Sequence, residues 1–266
     1  MPVNAKLRDK LIELVPYGHV ATKRWLMEQG VKLHSIDNLV KSNQLVMLVP
    51  GVYRRPETKV TWEGLVTSLH MGLTFWVGGL TAIELHGYGH YVPLGKKKTI
   101  QLYGPGKLPS WINRVLPDIQ FNQHGTKRLY ASGQQAYEQL TRTTFSRSSS
   151  PGVPLRASIA EAAFLELLQA IPEEVSFDHA DLITEGLVAL SPRKLDRALT
   201  LCTSVKAKRL FFWFADRHRH QWYSKLNVEN YDLGKGKRVI AKKGRLDKTY
   251  QITVPEELHG SAERLF

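Results

Sequence analysis

His86 and His90 stand four residues apart, the spacing at which a helix presents two imidazoles to one zinc ion. Gly87 and Gly89 interrupt any helix there and no cysteine lies near, so Leu85–His90 reads as a packed loop. His218 and His220, at the end of a helical pattern, read as favourable C-terminal charges or as solvated side chains. Gly104-Pro105-Gly106-Lys107 lacks the spacing and the Ser/Thr of a nucleotide-binding loop. The acid pairs Glu173-Glu174 and Glu256-Glu257 sit beside prolines, and the lone Cys202 reads as a core residue. None of these sets joins a nucleophile to a base, and nothing makes the acid pairs a metal-nuclease site. The expectation is no catalytic residue, no metal and no cofactor.

What remains is positive charge. Gly234-Lys235-Gly236-Lys237-Arg238 has the glycines and cations of an anion-binding nest, and equally those of an ordinary basic turn. Upstream, Lys206, Lys208 and Arg209 crowd the start of a helical pattern, where the helix dipole disfavours cations. An acidic partner would account for them, and so would a solvated face or pairing with the acidic 161–185 stretch. Residues 205–266 hold fourteen Lys and Arg against seven Asp and Glu, and the whole chain carries +13. Such an excess points to a polyanionic partner, most often nucleic acid.

The 266 residues, 42% hydrophobic, suffice for one large domain or two ordinary ones. No apolar run approaches the roughly 20 residues that span a bilayer. The opening MPVNAKLRDKLIELV lacks the apolar segment of a secretory signal, and one cysteine suits a reducing compartment. A cytoplasmic protein with no membrane partner is expected.

The elements that must position these charges follow from periodicity and caps. Leu7, Leu11, Ile12, Leu14 and Val15 fall at helical spacing. Thr22 caps a second helix carrying Trp25, Leu26 and Met27 and ended by Gly30, and Ser35 caps a third with Ile36, Leu39 and Val40 inward. Leu45–Val49 and Val52–Arg54 read as strands around Pro50-Gly51, whose type II preference predicts a bulged or wider connection. Three helices and a hairpin in this order predict a winged helix-turn-helix, with the third helix for the major groove. Its DNA-facing candidates are Lys32, His34, Ser35, Asn38, Lys41 and Ser42, beside Asp37, with Arg54 and Arg55 at the wing.

Two more helices are expected over 62–72 and 79–85, a linker at Pro93-Leu94-Gly95, strands at Lys98–Tyr103 and Ile119–Phe121, and a loop over 141–154. Helical patterns follow at Ser158–Ala170, Phe177–Ala189, Pro192–Cys202 and Val205–His218. Ser158 with Glu161 reads as a capping box, Ser176 as a cap, and Ser191-Pro192 as a helix start. Phe211, Phe212, Trp213 and Phe214 predict that the Val205 helix is buried. Lys237–Ala241 and Tyr250–Val254 read as a closing hairpin. The fold class expected is α+β: a winged helix-turn-helix over 1–92 and a larger, mainly helical domain with a few strands over 93–266.

Five segments in order resemble the AbiEi family of bacterial antitoxins. They are Pro50-Gly51-Val52-Tyr53, the Gly79-Leu80-Thr81-Ala82-Ile83-Glu84-Leu85-His86-Gly87 helix, Ser204–Trp213, Leu233–Val239 and Tyr250-Gln251-Ile252-Thr253-Val254-Pro255. The resemblance covers nearly the whole chain. It implies an antitoxin of a type IV toxin–antitoxin system active in phage abortive infection. The N-terminal winged helix would repress its own operon at inverted repeats of operator DNA. The C-terminal domain would counteract a cognate nucleotidyltransferase-like toxin without requiring a stable complex. Lys206, Lys208, Arg209, Lys235, Lys237, Arg238 and Arg245 are the candidate neutralising surface, facing either an acidic toxin or the RNA or nucleotide the toxin uses. The residues alone leave open a stand-alone regulator with a ligand-sensing or dimerising C-terminal domain, and a DNA-processing enzyme.

Overall fold

The structure, a computed structural model, describes residues 5–69, 74–89, 97–130, 138–145 and 154–259. His90, the Pro93-Leu94-Gly95 linker, the 92/93 division and most of the expected 141–154 loop lie outside them, as does the side chain of Leu7. The chain runs α1 (Ala5–Leu14), β1 (Ala21–Thr22), α2 (Lys23–Glu28), α3 (Leu33–Lys41), β2 (Val46–Val49), β3 (Val52–Arg54), α4 (Trp62–Leu69), β4 (Trp76–Val77) and α5 (Gly79–Leu85). Then come β5 (Lys98–Tyr103), α6 (Ile112–Val115), β6 (Ile119–His124), β7 (Thr141–Phe145) and β8 (Pro154–Ser158). The remainder is α7 (Ala160–Gln169), α8 (Phe177–Gly186), α9 (Pro192–Leu201), α10 (Val205–His218), β9 (Gly244–Asp247), β10 (Ile252–Pro255) and α11 (Glu256–His259). The class is α+β. Its described residues fall into two compact units, within 1–76, 95–124 and 143–156 and within 77–94, 125–142 and 157–266.

The first unit opens with the winged helix-turn-helix. Thr22 starts α2 as expected, its hydroxyl accepting from the Trp25 amide at 3.1 Å. The third helix starts earlier than Ser35: Lys32 is the N-cap of α3 and makes no side-chain cap bond. Ser35 therefore sits in the first turn. Leu11, Val15, Leu26, Ile36, Leu39 and Leu45 pack with Tyr53 into one core. Ile12 and Met27, expected inward, are 49% and 47% exposed. The buried stripe runs through Leu11 of α1 and Val15 just past its end, one helical turn apart, and Ile12 falls beside it. The strands order β1-β3-β2, all antiparallel. The wing carries the expected bulge, a register shift between Met47 and Val49, and Gly51 turns it at φ 78. The strand β1 is only two residues long and has no periodicity to announce it.

In the same unit β5 and β6 pair in parallel, from Lys98↔Ile119 to Tyr103↔His124, with α6 between them in sequence. A Cβ at Gly64 of α4 would lie 2.1 Å from the Gly18 carbonyl oxygen, so glycine is what lets the helix approach that turn. The β-branched run Thr141–Phe145 forms β7 where a loop was expected; the turn-forming residues begin after it.

The second unit is built on α7 and α10. Ser176 and Ser204 start α8 and α10 by accepting from His179 and Ala207 amides, and Pro192 takes the first position of α9. Phe211, Phe212, Trp213 and Phe214 are all buried, as α10 required. Phe211 meets Phe164 edge-on at 5.7 Å, and Trp213 meets Phe177 at 6.2 Å. Each such ring contributes about 1.5–3 kcal/mol by leaving water. The Ser158–Glu161 capping box does not form. Ile159 is the N-cap of α7, Ser158 donates to Glu166 at 2.8 Å, and Glu161 accepts from the Ser191 amide at 2.9 Å. Glu166, buried, also accepts from the Gly79 amide at the start of α5, where the dipole favours a carboxylate. The closing hairpin pairs β10 with β9, not with Lys237–Ala241; that stretch instead lies along the other side, bridged in parallel at Arg238↔Ile252.

Candidate nucleic-acid and partner interfaces

The face of α3 turned away from the core carries Lys32, His34, Asp37, Asn38, Lys41 and Ser42, all exposed. His34, Asn38 and Lys41 stand at i, i+4 and i+7, so they form one stripe along the helix. Ser35 is half-buried, and the Ser42 hydroxyl donates to the Asn38 carbonyl at 2.8 Å and ends the helix.

The wing arginines behave differently from expectation. Arg54 spends its Nη1 on the carbonyls of Arg55, Pro56 and Thr58, each at 2.8 Å. Arg55 is 13% exposed and lies 3.1 Å from the Glu57 carboxylate. Arg54 therefore braces the 55–58 turn, where consecutive carbonyls need a donor. Arg54 and Arg55 were expected to suit phosphate or the minor groove; Nη1 of Arg54 is held at the base of the wing.

Charge at the start of α10 has its own explanation. Lys206 donates to the Gln169 carbonyl at 2.9 Å and lies 3.5 Å from Glu173. A cation that opposes the dipole of its own helix thus caps the C-terminus of α7, where the dipole favours it. Lys208 and Arg209 are buried, 6% and 3% exposed, so neither presents charge to a partner as expected. Arg209 donates to the carbonyls of Leu233 at 2.6 Å, Gly234 at 3.1 Å, Gly236 at 2.7 Å and Gln251 at 3.1 Å. It holds the glycine-rich loop from beneath.

Lys235, Lys237, Arg238 and Arg245 are exposed, and Lys242, Lys243 and Lys248 join them. The last three were legible as charge in the sequence and lacked only a placement. The 235–248 segment is therefore an exposed basic stretch of the second unit, with Arg209 holding its start.

Both ring nitrogens of His86 are engaged within the second unit: Nε2 is 2.8 Å from the Ser158 carbonyl and Nδ1 is 3.2 Å from Arg142. Burial pushes its pKa down. His218 is not solvated: it lies 2.7 Å from Asp181 Oδ1, which also accepts from Arg217 at 2.8 Å. His220 lies 2.8 Å from the Thr184 carbonyl. Burial alone would raise the Asp181 carboxyl, but hydrogen bonds from His218 and Arg217 outweigh it and hold it below the usual range. Cys202 is buried, and burial pushes its thiol up to about 11. Among the described residues no group of three or more His, Cys, Asp or Glu is placed to hold a metal ion. No helix among them is long and apolar enough to cross a membrane.

Residues 97–255 match the family model described as "Transcriptional regulator, AbiEi antitoxin, Type IV TA system". Residues 4–94 match the model described as "Transcriptional regulator, AbiEi antitoxin N-terminal domain". No curated protein matches the chain. The crystal structure of the RV2827C protein from Mycobacterium tuberculosis is similar in fold, with a TM-score of 0.59 and 17% identity, over 93% of this chain and 89% of that one.

Proposed function

The chain belongs to the AbiEi antitoxin family of type IV toxin–antitoxin systems, and from that premise we propose two activities divided near residue 92. Residues 1–92 repress the protein's own operon by reading operator DNA. Residues 93–266 neutralise a cognate nucleotidyltransferase-like toxin, with or without a stable complex. Both are binding activities in the cytoplasm, with no catalytic step and no cofactor.

The observation that carries the DNA reading is the exposed stripe His34, Asn38 and Lys41 on α3, beside the bulged wing. An asparagine side chain pairs bidentately with adenine, and a lysine meets guanine or a phosphate. One winged helix reads too few base pairs for genomic specificity, so two molecules occupy the half-sites of an inverted repeat. The neutralising surface is Lys235, Lys237, Arg238 and Arg245, all exposed, with the buried Arg209 holding the 233–236 part of it.

Fluorescence anisotropy with the protein's own promoter and a scrambled duplex, at several salt concentrations, tests the first activity. Asn38→Ala costs about 1–3 kcal/mol on the promoter and relaxes base preference. Equal binding of wild-type protein to both duplexes at every salt concentration rejects sequence-specific reading.

A further inference from the structure

The glycine-rich loop of the second unit has an inside and an outside that its hydrogen bonds define. In a trans peptide the carbonyl of one residue and the amide N–H of the next point in opposite directions. Arg209 draws the carbonyls of Leu233, Gly234 and Gly236 inward. The N–H groups of Gly234, Lys235 and Lys237 must therefore point away from Arg209. The first of these already holds an oxyanion: the Gly234 N–H donates to the Asp232 carboxylate at 2.8 Å. Among the described residues the Lys235 and Lys237 amides donate to no partner, whereas the next amide, that of Arg238, is taken by the Gln251 carbonyl at 2.9 Å.

Two further features suit the outer face to an anion. Gly234 and Gly236 both take left-handed backbone, at φ 64 and φ 75, and no atom lies within 4 Å of where a Cβ at Gly236 would stand. Left-handed residues alternating with ordinary ones turn successive amides toward a common side and form anion-binding nests. The side chains of Lys235, Lys237 and Arg238 are exposed on the same segment. A buried guanidinium beneath the loop adds fixed positive charge in a drier setting, where it is screened less.

We propose that the outer face of the Asp232–Arg238 loop is a phosphate-binding site. One phosphate group sits on the Lys235 and Lys237 amides, with the Lys235, Lys237 and Arg238 side chains around it, and Arg209 is a positioning residue. Two amides suit a single tetrahedral oxyanion better than an extended carboxylate surface. The group comes from a free nucleotide or from a nucleic-acid backbone; both present the same oxygens. The role of the site rests on the reading of this surface as the neutralising one, but binding is measured without any toxin.

The test is an amide-resolved NMR titration of the full chain with sodium phosphate, tripolyphosphate and a ten-nucleotide RNA, against sodium chloride at equal ionic strength. The Lys235 and Lys237 amides shift and saturate with the phosphates and not with chloride. Tripolyphosphate binding tighter than RNA assigns a free nucleotide, and the reverse order assigns a backbone; either supports the site. Lys235→Ala/Lys237→Ala weakens binding at least about tenfold, as expected for lost charge-assisted hydrogen bonds. Gly236→Ala keeps every charge and strains the loop, so it also weakens binding. Unshifted Lys235 and Lys237 amides overturn the proposal. So does binding that Gly236→Ala leaves intact, because mere charge attraction then suffices. Rescue of toxin-expressing cells is scored separately, so a failed phosphate site and a failed neutralising surface give different results.

Discussion

Replacing Arg209 by methionine removes the side chain that holds the carbonyls of the glycine-rich loop. Four carbonyls lose a donor, those of Leu233, Gly234, Gly236 and Gln251. Gly234 and Gly236 are exposed and regain water, Gln251 keeps the Arg238 amide at 2.9 Å, and the half-buried Leu233 carbonyl does not fully recover. One acceptor left short costs about 1–3 kcal/mol. In a chain of this size that lowers Tm by roughly 2–12 °C. Arg209→Lys keeps the charge without the planar fork and loses about half as much. The assay is thermal unfolding by circular dichroism, with hydrogen exchange at the Arg238 amide as the local readout. An Arg209→Met protein melting within about 2 °C of wild type, with unchanged exchange at that amide, refutes the assignment of Arg209 as the loop's support. Because Lys208 and Arg209 are buried, reversing Lys206, Lys208 and Arg209 together to Glu tests folding, not surface recognition.

Other outcomes follow from buried groups. Cys202, its thiol pushed up to about 11 by burial, resists a thiol reagent at pH 8 and reacts only when the protein unfolds; rapid native labelling contradicts its placement. Burial lowers the pKa of His19 and His86 below the ordinary value. Their neutral forms favour the fold, so that stability is complete above about pH 6.5 and falls as pH drops below it; a urea midpoint flat from pH 7.5 to 5 counts against this. Asp181, held low by His218 and Arg217, contributes above the usual carboxylate range and loses its contribution as pH falls through its depressed value. Asp181→Asn therefore lowers Tm at pH 7, and the difference shrinks in acid. Gly64→Ala forces the Gly18 turn to shift and costs about 1–3 kcal/mol in chemical denaturation, typical of overpacking.

The elements most legible in the sequence were those with a strong period, several of them with a local cap. Residues Val205–His218 and Gly79–Leu85 announced themselves completely, and Thr22, Ser176 and Ser204 act as caps. Ser35 and Ser158 carry the same side chain and do not cap. Ser158 is drawn to Glu166, a partner eight residues away that only the fold brings near. Pairings set by distant contacts were equally hidden: β1 against β3, and β9 against β10. Charge was legible as an amount and not as an exposure. The sequence shows Arg54, Lys208 and Arg209 as cations no different from Lys235, yet carbonyls that need donors take Arg54 and Arg209 into the structure. On α3, periodicity alone placed Asn38 and Lys41 on the exposed face.

The most direct test of two activities in one chain is a double dissociation in cells, scoring repression of the protein's own promoter and survival of its cognate toxin together. Asn38→Ala/Lys41→Ala changes exposed residues of α3, and Lys235→Glu/Lys237→Glu/Arg238→Glu/Arg245→Glu changes exposed residues of the second unit. The account predicts that the first variant loses repression and still rescues, while the second represses and fails to rescue. Two variants that lose both functions together, with Tm unchanged, would contradict it.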